Sequence, residues 1–432
     1  MKPQPPPSQF ALLATERFLP LFIAQALGAF NDNGLRYAIS ILIIYDLSDR
    51  LDIDGASFIA LGTALFIAPY FLFSAISGQL ADKYDKALLA RRIKFAEIGI
   101  MALGWMSLYM DQVWLHLAVL FLAGTQAAFF SPVKYGLLPQ HLGREELVGG
   151  NGLIEMTTFV SILLGVLFGG YFVLQPGGKA LVGGTITALS VAGYLMARRI
   201  PDAPPPAPGL VISWRLVAET RRIIGFAAQR SDILQAVLGI SWFWFIGALM
   251  LTLFPVFTKE ILAGDENVAN LFVATFTIGI GLGSLLANRL LSAEVSPRYV
   301  PAAAILMTVF LLDLYFAAGP AAGTAVQGSL RPIASILSGW PGVRIVLDLL
   351  FISLFGGLFV VPLNALMQSR AAPPRRARVI AANNVLNAVF MTASSVLATV
   401  GFKIGLSAPT MFLVLGLANG AVAALCVVLL PR

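Results

Sequence analysis

Twelve long apolar runs leave few folds open to this chain. A helix needs roughly 20 mostly apolar residues to cross a bilayer. Runs of that kind cover residues 18–46, 56–80, 87–110, 113–138, 147–174 and 180–197. After a gap they resume at 233–262, 268–291, 299–318, 343–368, 379–402 and 409–430. The runs are continuous, whereas a transmembrane β-barrel would alternate polar and apolar positions. Of the 432 residues, 58% are hydrophobic and 12% charged. Soluble domains average about 45–50% and 25%. A soluble enzyme, a disordered chain and a disulfide scaffold are excluded. The single cysteine, Cys426, rules out an internal disulfide, and His116 and His141 alone make a poor metal site. No cofactor is expected. The expected fold is an all-α membrane protein of twelve transmembrane helices in two six-helix halves.

The first apolar run is longer than the roughly 7–15 residues of a signal-peptide core, so no cleaved leader is expected. The sequence divides into a proline-rich lead (1–17), a six-helix half (18–197), a linker (198–230) and a second six-helix half (231–432). The linker opens with a stiff stretch, Pro201-Asp202-Ala203-Pro204-Pro205-Pro206-Ala207-Pro208. It continues at 214–230 as a basic amphipathic stretch suited to a membrane surface.

Cation bias sets the expected orientation. With the N-terminus cytoplasmic, Lys2, Arg17, Lys83, Lys86, Arg91, Arg92, Lys94, Arg144 and the linker arginines fall inside. So do Arg289, Arg298, Arg370, Arg375, Arg376, Arg378 and Arg432. Outside fall Arg50, Lys179, Lys259, Arg331, Arg344 and Lys403, beside the acidic residues Asp49, Asp52 and Asp54. Both termini are therefore expected in the cytoplasm. The net charge of +7 follows this sidedness and does not point to nucleic acid.

The halves echo each other. Ser131-Pro132-Val133-Lys134 in the fourth run matches Val361-Pro362-Leu363-Asn364 in the tenth, and Glu155 falls near the position of Asn387. Leu80-Ala81-Asp82-Lys83 is echoed more weakly by Leu286-Ala287-Asn288-Arg289. Parallel repeats of this kind build transporters, with substrate sites near the bilayer midplane.

Charges within membrane spans cost about 2.5–3.5 kcal/mol each on insertion scales, so each calls for a reading. Asp32 lies midway along the first run, between Asn31 and Asn33, and Arg36 follows at i+4, where the two can pair. Lys134 closes the fourth run and Glu155 lies in the fifth. The functional reading is one polar space shared by Asp32, Lys134 and Asn364, taking a charged or zwitterionic head group. The structural reading is an ion-pair network, such as Lys134 with Glu155, that locks one conformation. Asp313 reads as structural. Asn383, Asn384 and Asn387 could donate to phosphate oxygens or join helices. Trp242, Phe243, Trp244 and Phe245 read as an interfacial aromatic belt. Gly165, Gly169, Gly170, Gly279, Gly281 and Gly283 read as close helix contacts. No catalytic constellation and no nucleotide-binding loop is present, so an enzyme is not expected.

The segment Gly78-Gln79-Leu80-Ala81-Asp82-Lys83-Tyr84-Asp85-Lys86 resembles the signature loop of the major facilitator superfamily, with Asp85 at its usual second glycine. The resemblance implies a cytoplasmic gate motif at Gly78, Asp82, Lys83 and Lys86. Ala29-Phe30-Asn31-Asp32-Asn33, Ser131-Pro132-Val133-Lys134-Tyr135-Gly136, Asn151-Gly152-Leu153-Ile154-Glu155 and Val361-Pro362-Leu363-Asn364-Ala365-Leu366-Met367-Gln368 are similar to the bacterial lysophospholipid transporter family.

That family implies a flippase carrying lysophospholipids, such as lysophosphatidylethanolamine, from the outer to the inner leaflet of the bacterial inner membrane. A cytoplasmic-side acyltransferase then re-acylates them. The implied head-group and gating residues are Asp32, Asn31, Asn33, Arg36, Lys134, Glu155, Asn364, Asn384 and Asn387; the implied partners are the lysophospholipid and membrane lipids. One departure stands out. Relatives carry an arginine in the seventh helix, whereas here no cation lies between Arg230 and Lys259, and Leu251 stands near the expected place. The alternatives are a proton-coupled exporter of amphipathic drugs and a non-transporting membrane anchor for an acyltransferase.

Overall fold

The computed structural model describes residues 8–51, 54–323 and 330–429. Lys2 and the rest of 1–7, Asp52 and Arg432 lie outside the described residues. Each of the twelve apolar runs becomes a helix, and the linker adds one more. The order is α1 (Leu19–Leu42), α2 (Gly55–Lys83), α3 (Lys86–Met110), α4 (Val113–His141), α5 (Leu147–Phe172), α6 (Gly178–Ala197) and the linker helix α7 (Leu216–Ala228). Then come α8 (Ser231–Val256), α9 (Glu266–Leu290), α10 (Val300–Ala321), α11 (Trp340–Arg370), α12 (Arg376–Lys403) and α13 (Ala408–Leu429). Among the described residues, eleven helices are long and apolar enough to cross a membrane. The other long helix, α1, has 24 residues and carries Asn31, Asp32, Asn33 and Arg36, which lower its apolarity.

Local chemistry marks the helix ends. The Asp85 side chain caps α3 by accepting the Leu88 N–H at 3.0 Å. An acceptor at an N-cap satisfies one of the four open N–H groups of a first turn. This is why a carboxylate stands where the signature loop usually has glycine. Asp265 caps α9 in the same way through Val268. The helices that open the two halves share a feature the repeat did not reveal. α1 runs into a π-helical turn, Ile43–Leu47, and α8 into another, Phe257–Ile261.

The chain forms two compact units. The first comprises Met1–Gly150, Val160–Arg230 and Met367–Val385. Its apolar core joins Leu35, Ile39 and Leu42 of α1 to Met101 and Leu108 of α3, Leu120 of α4 and Ile186 of α6. α1 and α5 touch backbone to backbone: a Cβ on Gly165 would lie 2.5 Å from the Phe30 carbonyl oxygen and 3.0 Å from the Gly34 nitrogen. At one edge Arg50 bridges Asp46 (2.9 Å) and Asp111 (3.1 Å), and Lys179 also pairs with Asp111.

The linker is strapped to the first unit. The Ala203 N–H donates to Asp85 Oδ2 (2.9 Å) and the Ala207 N–H to the Asp82 carbonyl (3.0 Å). Gln79 bonds the Ser213 backbone twice, at 2.8 and 3.1 Å, and Gln140 donates to the Pro204 carbonyl at 3.0 Å. Proline-rich chain lacks N–H groups for a ladder, so side chains from α2, α4 and the α2–α3 loop hold it.

The second unit comprises Asn151–Phe159, Ser231–Leu366 and Leu386–Arg432. Here α9 meets α11 closely, and a Cβ on Gly279 would stand 2.6 Å from the Leu350 carbonyl oxygen. The aromatic run of α8 is not an interfacial belt. Trp242 lies eleven residues past the helix start, so its ring sits deep in the span. Its Nε1–H donates to Asn419 Oδ1 at 2.8 Å. Phe243 is buried, and Trp244 stacks on Phe159 with ring centroids 5.9 Å apart.

Candidate functional site

The polar residues of α1, α3 and α4 gather inside the first unit. Glu97 of α3 is fully buried and accepts three bonds: from Lys94 Nζ (2.6 Å), Gln126 Nε2 (2.8 Å) and Asn31 Nδ2 (3.2 Å). The Lys94 ammonium also lies 4.6 Å from the centroid of the Phe130 ring. Gly28 leaves the space the ammonium occupies, since a Cβ there would collide with it. A buried carboxylate needs this many donors because lost hydration must be replaced in full.

Two expectations are corrected here. Lys94 is not a loop cation; it is 1% exposed and lies two turns inside α3. Arg36 does not close onto Asp32. Its Nη2 donates to Asn33 Oδ1 at 2.9 Å and its guanidinium lies over the Phe66 ring at 5.2 Å. Asn33 sits at i−3, and the aromatic face of α2 draws the guanidinium sideways. Asn33 also donates to the Ala29 carbonyl at 2.8 Å. Asp32 is left with a buried Oδ1 that accepts no hydrogen bond. Lys134 of α4 reaches Gln25 Oε1 of α1 at 3.5 Å and lies 4.6 Å from the Tyr135 ring centroid.

In the second unit Asn364 Nδ2 of α11 donates to Glu155 Oε1 at 3.4 Å, with both residues buried. Asn387 of α12 accepts from Ser241 of α8 at 2.8 Å. Asn384, in the first unit, accepts from Ser131 of α4 at 2.9 Å. These two asparagines join helices. Asp313 of α10 is bound by both Nε (2.9 Å) and Nη2 of Arg344.

The last turn of α2, leading into α3, is built around Asp82. Its side chain is fully buried and accepts from Arg378 Nε at 2.9 Å and from the Ala377 N–H at 3.0 Å. Gly78 lets α12 approach, since a Cβ there would meet the Arg378 Cα at 2.9 Å. Lys86 is buried with its stem against Gly136, and Lys83 lies 5.7 Å from the Tyr84 ring centroid. Arg378 and Arg375 flank the ring of Phe226 from α7, at 5.1 and 4.7 Å.

Glu97 and Gln126 are the residues that sequence reasoning missed. The signal was present: a lysine and a glutamate three apart within an apolar run face the same way on a helix. Among the described residues no cluster of three metal-ligating side chains occurs.

Membrane-length helices around buried charged and amide side chains, with a proline-rich strap and a carboxylate-centred loop, define a polytopic membrane protein of the transporter class. The chain matches the Major Facilitator Superfamily over residues 21–395. It is 30% identical over 368 residues to the lysophospholipid transporter LplT of Klebsiella pneumoniae, covering 83% of this chain and 81% of that protein. LplT of Salmonella heidelberg is 29% identical over 360 residues, with 82% and 79% covered. The chain therefore belongs to the major facilitator superfamily and, within it, to the family of LplT. The fold agrees with solved structures of other transporters. The fucose:proton symporter FucP of E. coli aligns with a TM-score of 0.70 at 14% identity, covering 98% of each chain. A bacterial homologue of the iron transporter ferroportin aligns at 0.65 and 15%, covering 94% of this chain and 98% of that one.

Proposed function

We propose that this protein is a lysophospholipid flippase of the bacterial inner membrane, with both termini cytoplasmic. It carries lysophospholipids such as lysophosphatidylethanolamine from the outer to the inner leaflet, where an acyltransferase restores the second chain. The observation that carries the reading is the kinship to LplT over four-fifths of both chains. The polar set of the first unit supports it. A lysophospholipid has one acyl chain, and each CH₂ moved into water costs about 0.8 kcal/mol. The tail therefore stays among apolar helix faces, and only the head group needs polar partners.

In this reading Asp32, whose Oδ1 is buried without a hydrogen bond, takes the ammonium of the head group. Lys134 takes the phosphate, a role that would fall to it because α8 carries no cation. Asn31 and Gln126 donate to Glu97 of the Lys94–Glu97 pair, and Asn33 accepts from Arg36. Glu155 and Asn364 serve the second unit, and Gly78, Asp82, Lys83 and Lys86 form the cytoplasmic gate. Rocking of the two halves in alternating access moves the head group across.

The test is inward flipping of fluorescent lysophosphatidylethanolamine by purified protein in proteoliposomes, with and without ion gradients. Flipping that the D32N variant loses supports the assignment. Movement of a cationic amphiphile outward under a proton gradient, with no lysolipid flipping, replaces this reading with drug export.

A further inference from the structure

The linker helix α7 has two faces. Glu219, Ile223 and Ala227, spaced at four residues, are buried toward the rest of the first unit, and Phe226 is seated among Arg222, Arg375 and Arg378. The opposite face is unusual for a segment outside the membrane spans. Trp214 is 70% exposed, Val217 69% and, just upstream, Val211 83%. Arg215 and Arg221 stand exposed among them. Among the described residues neither guanidinium makes a hydrogen bond or an ion pair, whereas Arg222 is turned to Glu219 at 3.5 Å. The one acidic side chain of the helix is thus buried, and what remains outside is aromatic, aliphatic and cationic.

The position of the helix says what can cover that face. α7 ends at Ala228, and the membrane helix α8 begins at Ser231. Just before α7, Ser213 is fixed by Gln79, one turn from the end of α2. The helix is therefore tied beside the end of α2 and followed at once by α8, which in the topology proposed above sets it near the lipid head groups. Tryptophan prefers that depth because its ring is apolar and its N–H polar. Cations there meet the negative potential of anionic lipids. A protein partner would also cover apolar surface, but two unpaired guanidiniums beside a tryptophan fit phosphate-bearing head groups better.

We propose that the outer face of α7, with Val217 and Arg221, and the residues just before it, Trp214 and Arg215, form a binding surface for anionic phospholipid head groups. It is separate from the polar set of α1, α3 and α4 and does not depend on what the protein transports.

The test uses the full-length chain in nanodiscs. Cys426 is the only cysteine, so Cys426→Ser with Val217→Cys gives one site for an environment-sensitive fluorophore. The discs contain phosphatidylcholine alone or a two-to-one mixture with phosphatidylglycerol. The expected result is a blue shift that grows with phosphatidylglycerol and shrinks at about 1 M salt, where the Debye length falls to about 3 Å. R215Q/R221Q is expected to abolish the lipid dependence and R215K/R221K to keep it. Equal emission in both kinds of disc overturns the proposal. So does a lipid-dependent shift that survives R215Q/R221Q.

Discussion

Asp82 and Arg378 lie 296 residues apart in the chain and meet at 2.9 Å. Both are buried, and the carboxylate takes a second bond from the Ala377 N–H. The pair fastens the end of α2 to the start of α12. Removing one partner of such a pair leaves a buried charge uncompensated, typically at about 3–5 kcal/mol. Arg378→Gln is expected to lower the melting temperature more than Asp82→Asn, since asparagine still accepts the Ala377 N–H. Thermal unfolding in detergent measures both. A rise in stability for Arg378→Gln would show that the pair is held at a net cost.

Glu97 and Lys94 support a sharper test, because the single and double changes predict opposite orders. Glu97→Gln strands a buried ammonium, and Lys94→Met strands a buried carboxylate. The double variant K94M/E97Q strands neither. It is expected to be more stable than either single variant, with a coupling energy of about 0.5–3 kcal/mol in a double-mutant cycle. Additive losses would mean that the two charges are compensated elsewhere.

How much of this was legible in the sequence follows from what each feature depends on. Helix boundaries were readable within a few residues, because a span must present an unbroken apolar run. Asp85 announced a departure from the signature loop, and its capping role could have been read from its place before Lys86. The partner of Asp82 could not be read, since nothing local to Gly78–Lys86 points to a helix start 296 residues away. Lys94 was misplaced because counting cations for sidedness treats any lysine near a helix end as a loop residue. Glu97, three residues on, was the sign that it is not. The pairing of Arg36 with Asn33 rather than Asp32 depends on Phe66, which comes from another helix.

Asp32 and Lys134 are expected to separate function from folding. Asp32 Oδ1 makes no hydrogen bond, so Asp32→Asn removes a charge without breaking a bond to that oxygen. Its melting temperature should stay within a few degrees of the parent, while lysolipid flipping falls at least about tenfold, the effect of 1.4 kcal/mol. Lys134→Ala should also reduce flipping. Normal flipping by both variants would remove them from the head-group site.

Gly165 should be intolerant of any side chain. Its Cβ would meet the Phe30 carbonyl oxygen at 2.5 Å, and backbone cannot swing aside as a side chain can. Gly165→Ala forces α1 and α5 apart and is expected to cost about 1–3 kcal/mol, the usual range for overpacking. By contrast Gly99, with nothing within 4 Å of its added Cβ, should accept alanine without loss. Comparing the two melting temperatures checks the contact. Equal tolerance would mean that the helices are not this close.

Asp111 sets an expected pH dependence outside the spans. Partial burial pushes its carboxyl up, but the bonds from Lys179 and Arg50 outweigh that and hold it below the ordinary carboxylate range. A carboxyl depressed in the folded protein contributes stability above its unfolded pKa, about 3.9. That contribution fades as the pH falls through the folded value. The melting temperature should therefore lose the Asp111 contribution only in acid, below about pH 4. Asp111→Asn should lie lower at neutral pH and approach the parent as acid is added. Parallel curves for the two proteins at every pH would show that Asp111 draws no net stability from Lys179 and Arg50.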